Sequence, residues 1–199
     1  MAKGVFVCVE GLDGCGKTTQ TKLLVYALKK SGYEAVLTAE PSHGKIGRFI
    51  KSNFLHCPAR GSSIVESLLF AADRIEHLEN EVIPSLKEGK VVVSDRYVYS
   101  SLAYQGADGL ELDWIKAVNK HALRPDLAVF IDVDAATGVK RLKAKKSVME
   151  TLDMQRRVRE VYMKFVDKRE LVRIDGNRSI DAVAVDLLKV VEDFLKGRR

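Results

Sequence analysis

The sequence predicts an α/β fold in three layers, with a doubly wound, five-stranded parallel sheet between two layers of helices. Short runs of β-branched and other apolar residues alternate with longer amphipathic stretches along the chain of 199 residues. The first of these runs, residues 5–9, is apolar throughout, which is typical of a central strand covered on both faces. No Pro-, Gly- or Ser-rich linker interrupts the alternation, so we expect one domain over residues 1–199.

The individual elements follow in order from these patterns. The strands are predicted at residues 5–9, 35–38, 91–93, 127–133 and 171–174. A helix after the first strand ends at Ser31-Gly32, and a long helix over residues 64–86 bends or ends near Pro84. Further helices are predicted at 114–123, stopped by Arg124-Pro125, and at 182–195. Sheets of this class bind ligands beyond the carboxyl ends of their strands, so we expect the site there.

Composition excludes several classes of protein. Apolar residues make up 46% of the chain and charged residues 30%, which excludes a disordered or low-complexity protein. The three cysteines, Cys8, Cys15 and Cys57, lack the spacing of a disulfide framework or a zinc ribbon and indicate a reducing, cytoplasmic compartment. The apolar run near the N-terminus is too short for a signal sequence or a membrane span, so we expect no membrane association.

A glycine-rich loop follows the first strand and precedes the first helix. It reads GLDGCGKT over residues 11–18 and fits the pattern GxxxxGK[ST], the P-loop. Its glycines let backbone amides turn towards phosphate oxygens, and the helix N-terminus adds a positive dipole end. Lys17 can reach the β- and γ-phosphates, and the Thr18 hydroxyl can ligate Mg²⁺. The loop predicts ATP or GTP binding in a fold of the P-loop NTP hydrolase and kinase type.

The end of the third strand indicates which chemistry this loop serves. Asp95 can assist Mg²⁺, but Arg96 follows it where motor ATPases place a water-orienting Glu, and residues 119–122 lack the carboxylate of the guanine-reading Asn-Lys-x-Asp. The guanidinium of an arginine can bind an anion with two parallel hydrogen bonds, so Arg96 at this point favours phosphoryl transfer to a second anion. Arg74 offers another fork unless it is a solvated helix residue paired with Asp73 or Glu79.

Several strings together resemble the thymidylate kinase family of P-loop nucleoside monophosphate kinases. They are EGLDGCGKTTQ at 10–20, Glu40-Pro41, LLFAADR at 68–74, DRY at 95–97, SSLAYQG at 100–106, Arg141 and VREVY at 158–162. The resemblance covers essentially the whole chain. It implies transfer of the γ-phosphoryl of ATP to dTMP with Mg²⁺, giving dTDP and ADP, by a homodimer. A kinase for another deoxynucleotide or a deoxynucleoside is the nearest alternative.

The resemblance also implies roles for the matching residues. Lys17, Arg96 and Asp13 would be catalytic, Arg96 by clamping the acceptor phosphate and Asp13 by meeting the 3′-hydroxyl of the deoxyribose. ATP would contact Gly11, Leu12, Asp13, Gly14, Cys15, Gly16, Lys17, Thr18, Thr19 and, against adenine, Arg141. The metal ligands would be Thr18 and Asp95. The dTMP-binding residues would be Asp13, Phe70 stacked on thymine, Arg74, Arg96, Ser100, Ser101, Tyr104 and Gln105.

The chain departs from the family pattern in two places. Ala39 and Ser42 stand where the family often has Arg beside Glu-Pro, so one phosphate contact is either missing or supplied by Lys45 or Arg48. The P-loop carries Cys15 where some members of the family have Arg, and members that lack this Arg usually carry basic residues in a mobile lid over ATP. We therefore expect a short helical lid near residues 142–150, with possible contacts from Lys143, Lys145 and Lys146.

The basic surplus bears on the choice of partner. The chain has 33 Lys and Arg against 27 Asp and Glu, and the surplus is concentrated between residues 140 and 173. Such a surplus suits nucleic acid, a membrane surface or small phosphates. A nucleic-acid-binding protein with a vestigial P-loop is the distant alternative, but no RNP string, zinc spacing or aromatic–basic interleaving supports it. We therefore expect small-molecule phosphates and no nucleic acid as partners.

Overall fold

The computed structural model describes residues 4–55, 61–142 and 148–198, and its centre is one parallel sheet. The strands are β1 (Val5–Gly11), β2 (Ala35–Ala39), β3 (Val91–Asp95), β4 (Leu127–Asp132) and β5 (Val172–Asp175). They lie in the order β2-β3-β1-β4-β5, and every pair in the sheet is parallel. The predicted α/β class and five-stranded parallel sheet are therefore confirmed.

Helices cover both faces of this sheet. They are α1 (Lys17–Lys30), α2 (Lys45–Ile50), α3 (Ser63–His77), α4 (Ile83–Lys87), α5 (Val98–Ala107), α6 (Leu112–Val118), α7 (Ala135–Arg141), α8 (Leu152–Asp167) and α9 (Ile180–Lys196). Thr151 and Ser179 cap α8 and α9, since each side chain accepts a hydrogen bond from a backbone amide of the first turn. No helix in the described ranges is long and apolar enough to cross a lipid bilayer.

The strand β1 is central and buried along its whole length, as its unbroken apolar pattern predicts. It pairs with β3 on one side and with β4 on the other. The two strands that follow β1 in the chain, β2 and β3, lie on one side of it in the sheet. The chain then crosses over β1, so that β4 and β5 lie on its other side. The carboxyl end of β1 therefore lies where the direction of winding changes, and such a crevice is the usual ligand site of an open α/β sheet.

The predicted long helix is confirmed, whereas the bounds of two other predicted elements need correction. The long helix is one helical run from Ser63 to Lys87, interrupted by a π-type turn at Leu78–Val82 just before Pro84, whose ring nitrogen has no hydrogen to donate. The helix predicted at 114–123 is α6, which ends at Val118 because the side chain of Asn119 folds back to donate to the Ile115 carbonyl. The last strand begins one residue later than predicted.

Candidate active site

The loop between β1 and α1 has a backbone that only glycine accommodates at two points. Gly14 has a φ of 75°, and a Cβ there would lie 2.2 Å from the carbonyl oxygen of Gly138 in α7. Gly16 has a φ of 95° and begins α1 from the left-handed region, with open space where its Cβ would stand. The loop is thus held against α7 on one side and open on the other, as a phosphate cradle requires.

Lys17 lies within this loop rather than in solvent. Its side chain is buried, and its Nζ donates a hydrogen bond to the Leu12 carbonyl at 2.6 Å. The Nζ is also 3.7 Å from the Cys15 sulfur. Leu12 and Cys15 are themselves buried, so they form the floor of the loop and hold the ammonium group over it.

A hydroxyl and a carboxylate meet at the ends of α1 and β3. Thr18 Oγ1 donates to Asp95 Oδ2 at 2.6 Å. Both oxygens are hard ligands, and Mg²⁺ typically combines one or two such protein oxygens with phosphate oxygens and water. No cluster of three or more His, Cys, Asp or Glu that could hold a metal occurs in residues 4–55, 61–142 and 148–198. The pair therefore fits a cation that arrives together with a phosphate chain.

Arg96 stands at the end of β3 in an unusual backbone conformation. Its φ is 72°, in the left-handed region, which costs a non-glycine residue on the order of 1–3 kcal/mol unless its surroundings enforce it. The backbone amide donates to Val9, and the guanidinium donates to Asp13, to Ser100 Oγ at 3.1 Å and to Tyr104 OH at 3.3 Å. These contacts aim the side chain at the mouth of the P-loop.

Asp13 is clamped between two elements that are distant in sequence. One carboxylate oxygen accepts from Arg96, and the other accepts from Gln155 Nε2 at 3.0 Å, while the Asp13 amide donates to Gln155 Oε1. Burial acts to raise the pKa of Asp13, but the charges of Arg96 and Lys17 outweigh it and lower the pKa. Gln155 belongs to α8 and was not predicted, because no motif marks it and 142 residues separate it from Asp13.

Glu10 is a second residue that sequence reasoning missed, although it lies in the string that carried the resemblance. Its carboxylate is fully buried and accepts from the Tyr97 amide at 2.9 Å, from Ser100 Oγ at 2.6 Å and from Tyr162 OH at 3.0 Å. Glu10 therefore fixes the turn after β3 that carries Arg96. Burial raises the pKa of Glu10 from 4.5 to about 7, although these hydrogen bonds and the charge of Arg96 oppose the rise.

This raised pKa predicts a pH dependence of stability. Between about pH 4.5 and 7 the folded protein holds a proton on Glu10 that the unfolded chain has released. The contribution of Glu10 to the free energy of unfolding should therefore fall as the pH rises through this window, by on the order of 3 kcal/mol. Urea unfolding of the wild type and Glu10→Gln at several pH values measures it. Glu160→Gln, on an exposed glutamate of α8, controls for the loss of a carboxylate. A difference between wild type and Glu10→Gln that does not change with pH would contradict the prediction.

A cavity of about 200 Å³ opens beside the P-loop, between α3 and α5. One face of α5 lines it, because residues 100 and 104 and residues 101 and 105 are each four apart, and Tyr97 lines it from just before this helix. Phe70 lines it from α3 and is half-buried. All of the residues predicted to bind the acceptor line this one cavity: Asp13, Phe70, Arg74, Arg96, Ser100, Ser101, Tyr104 and Gln105.

Arg74 is buried at the edge of this cavity and not solvated. It donates through Nε and Nη2 to one oxygen of Glu40, at 3.0 and 2.7 Å, and through Nη2 to Ser101 Oγ at 3.1 Å. The other Glu40 oxygen lies 3.2 Å from the ring of His77. The alternative pairing with Asp73 is excluded, since Asp73 accepts from the amide and hydroxyl of Ser42. These hydrogen bonds therefore fix the orientation of the Arg74 guanidinium at the edge of the cavity.

A second cavity, of about 440 Å³, lies over the P-loop. Lys17, Thr18, Asp95 and Arg141 line it, together with other loop residues, namely Gly14, Gly16 and Thr19. Asp13, Arg96, Glu40 and Pro41 line both cavities, so the two share a wall.

Lys51, and not the predicted Lys45 or Arg48, is placed to supply the phosphate contact expected near Ser42. Lys45 is exposed and Arg48 donates to the His43 carbonyl, and neither lines either cavity. Lys51 instead lines the cavity over the P-loop, and its Nζ donates to the Ser42 carbonyl at 3.1 Å. The predicted lid contacts Lys143, Lys145 and Lys146 lie outside the described residues.

Comparisons with known proteins agree on one family. Residues 9–187 match the family model described as thymidylate kinase. A protein of Pyrococcus abyssi named probable thymidylate kinase is 41% identical over 203 residues, which cover 98% of this chain and 99% of that protein. A protein of the same name from Pyrococcus horikoshii is 42% identical with the same coverage, and one from Staphylothermus marinus is 39% identical over 96% of each chain.

Proposed function

The chain belongs to the thymidylate kinase family, and we propose that it transfers the γ-phosphoryl group of ATP to dTMP, giving dTDP and ADP. One observation carries this proposal. The cavity lined by every predicted acceptor residue and the cavity over the P-loop share Asp13 and Arg96 as a common wall. Two nucleotides bound in these cavities would meet phosphate to phosphate at that wall.

ATP binds with its phosphate chain in the P-loop. The backbone amides of the loop and the ammonium of Lys17 neutralise the β- and γ-phosphates, while Arg141 lies at the adenine end of the cavity. Thr18 and Asp95 would hold Mg²⁺, which would supply positive charge against the negative charge that develops on the phosphates during transfer.

The acceptor nucleotide lies in the neighbouring cavity. Phe70 stacks on the thymine ring, and Arg74 donates to its exocyclic carbonyl oxygen. Asp13 accepts from the 3′-hydroxyl, and the buried Tyr104 fills the space that a ribose 2′-hydroxyl needs. Arg96 holds the acceptor phosphate, assisted by Lys51 from the other side of the shared wall.

The chemistry needs positioning and charge neutralisation more than proton transfer. An oxygen of the dTMP phosphate attacks the γ-phosphorus, and the bond from that phosphorus to the oxygen bridging to the β-phosphate breaks, so ADP leaves. The attacking oxygen is already anionic and requires no general base. Arg96 remains cationic beside the transferred group, since the neighbouring Tyr104 and Asp13 raise the pKa of Arg96 despite its burial.

A steady-state panel tests the proposed function. Turnover is measured with ATP and each of dTMP, dUMP, dCMP, UMP and thymidine. We expect the highest kcat/KM for dTMP and negligible turnover of thymidine, because Arg96 then has no acceptor phosphate to hold. Negligible turnover of dTMP beside fast turnover of another acceptor would overturn the proposal and leave a kinase of different specificity.

We also propose that the protein works as a homodimer in the cytoplasm, with no nucleic-acid or membrane partner. Ile64, Val65 and Leu68 are 45–49% exposed on one side of α3, next to the exposed Ala72. A second copy of the chain would cover this apolar stripe. The cysteines Cys8 and Cys15 are free thiols, which suits a reducing compartment.

The dimer prediction concerns Leu68. Replacing Leu68 by Glu places a charge on the exposed stripe without touching the cavity, so we expect the mass in solution to fall from dimer to monomer at micromolar concentration. Sedimentation or light scattering measures this mass. Val185→Glu, at an exposed apolar residue of α9, is the matched control and should leave the mass unchanged. A wild type of monomer mass would contradict the proposal.

A further inference from the structure

Two helices line the acceptor cavity with matching stripes. Glu66, Phe70 and Arg74 follow one another at intervals of four on α3, and Ser101 and Gln105 do the same on α5. The stripes are joined at both ends: Gln105 Nε2 donates to Glu66 Oε1 at 3.1 Å, and Arg74 donates to Ser101. Phe70 lies between these two contacts along α3.

The contact at the Glu66 end fixes the direction of an amide. Gln105 is 2% exposed, so its side chain is held by its neighbours and not by solvent. A carboxylate oxygen accepts hydrogen bonds, so Glu66 selects the amino end of the Gln105 amide. The carbonyl oxygen Oε1 must then point the other way. It is buried and has no hydrogen-bond partner in the part of the chain that the structure describes.

We infer that Glu66 is a positioning residue that selects the base of the acceptor nucleotide by directing the Gln105 carbonyl oxygen towards it. The inference rests on the proposed function. It accounts for the buried, unpartnered oxygen, which would be costly unless a ligand supplied a donor.

The pattern of hydrogen-bonding groups in the cavity selects one class of base. Gln105 Oε1 can only accept, and the guanidinium of Arg74 can only donate. A base with an N–H group next to a carbonyl oxygen complements both, and thymine and uracil have this edge at N3 and O4. Cytosine presents the reverse, an acceptor at N3 and an amino group at C4. Cytosine would therefore set acceptor against acceptor at Gln105 and donor against donor at Arg74.

The variant Glu66→Gln tests this inference. It preserves the shape of the side chain, but its amide can either accept from Gln105 or donate to it, so the direction of the Gln105 amide is no longer fixed. We expect the ratio of kcat/KM for dTMP to that for dCMP to fall about tenfold. The corresponding ratio for dTMP and dUMP should not change, because uracil has the same N3 and O4 and lacks only the methyl group. Calorimetric Kd values for dTMP and dCMP, measured without ATP, should change in the same way.

A control variant and a double variant show whether the effect of Glu66→Gln is exerted through Gln105. Ser67→Ala removes a fully buried hydroxyl from the next position of α3 and should change neither ratio. In a Gln105→Leu background the acceptor oxygen is gone, so adding Glu66→Gln should leave the ratio of dTMP to dCMP where it was.

Each outcome decides the question. If both ratios fall together in Glu66→Gln, or if the ratio of dTMP to dCMP stays constant, Glu66 does not direct Gln105 and the inference fails. The proposed function fails separately, if the wild type does not turn over dTMP. If Glu66→Gln does not fold, as judged by its thermal transition, the comparison of Gln105→Leu with the wild type replaces it. An unchanged ratio of dTMP to dCMP in that variant overturns the inference.

Discussion

Replacing Lys17 by alanine is expected to lower kcat/KM by about three orders of magnitude. The Lys17 ammonium is held over the P-loop by the Leu12 carbonyl, and no other lysine of α1 lines the cavity over that loop to compensate for its removal. Loss of one preorganised donor from the charge that develops in a transition state typically costs about 3–4 kcal/mol. Single-turnover measurement of dTDP formation, with both substrates saturating, separates this loss from weaker ATP binding.

The matched control for Lys17→Ala is Lys22→Ala. Lys22 belongs to the same helix and carries the same charge, but it is exposed on the outer face of α1. Its replacement should leave kcat/KM within about twofold of the wild type, since an exposed charge at this distance is screened by solvent and salt. A Lys17→Ala variant that retains near-normal kcat would be incompatible with the role given to Lys17.

The second large effect is expected at Arg96. Arg96→Ala removes the guanidinium from the wall between the two cavities and frees the Asp13 carboxylate, which it neutralises. We expect a loss of at least about 3 kcal/mol, or more than a hundredfold, in kcat/KM for dTMP. Lys51→Ala should cost less and mainly raise the KM for dTMP, because Lys51 reaches the acceptor phosphate only from the cavity over the P-loop and supplies a single point charge. An unchanged kcat/KM for dTMP in Arg96→Ala would rule out the clamp.

Two other replacements of Arg96 separate its charge from its backbone. Arg96→Lys keeps a cation without the fork and should recover only part of the activity. Arg96→Gly should be as inactive as Arg96→Ala but more stable by about 1 kcal/mol, because alanine strains at a φ of 72° and glycine does not. Chemical denaturation measures this difference, and equal stability of the two variants would show that the left-handed conformation carries no cost.

The parts of the fold predicted from sequence are those that depend on local pattern. Short, largely apolar runs identified the five strands, and the run of β1 is continuous because that strand is buried along its whole length. The glycines with Lys17 identified the P-loop. The end of α6 was wrong because the side chain of Asn119, rather than a nearby proline, terminates the helix. The Asn119 side-chain oxygen in turn accepts a hydrogen bond from Arg74 of another helix, a contact that no local pattern reveals.

The candidate site divides in the same way. The eight residues predicted to bind the acceptor belong to recognised motifs and line one cavity. The residues that contact and position them belong to no motif that assigned them a role. Gln155, Glu66 and Lys51 are ordinary polar residues of amphipathic segments, and only the packing of α8, α3 and the end of α2 brings them to the cavities. Glu10 lay inside a recognised string, yet its partners Ser100 and Tyr162 are 90 and 152 residues away.

The central place of β1 has a consequence for the order in which the protein is made. The strand β1 leaves the ribosome well before β3 and β4, the strands with which it pairs, whose first residues are Val91 and Leu127. A nascent chain of about 120 residues thus contains the whole P-loop but lacks β4 and the glutamine that holds Asp13. Contacts so distant in sequence close slowly and leave apolar strands uncovered meanwhile. We expect nucleotide binding to be acquired late in synthesis, after α8 has emerged.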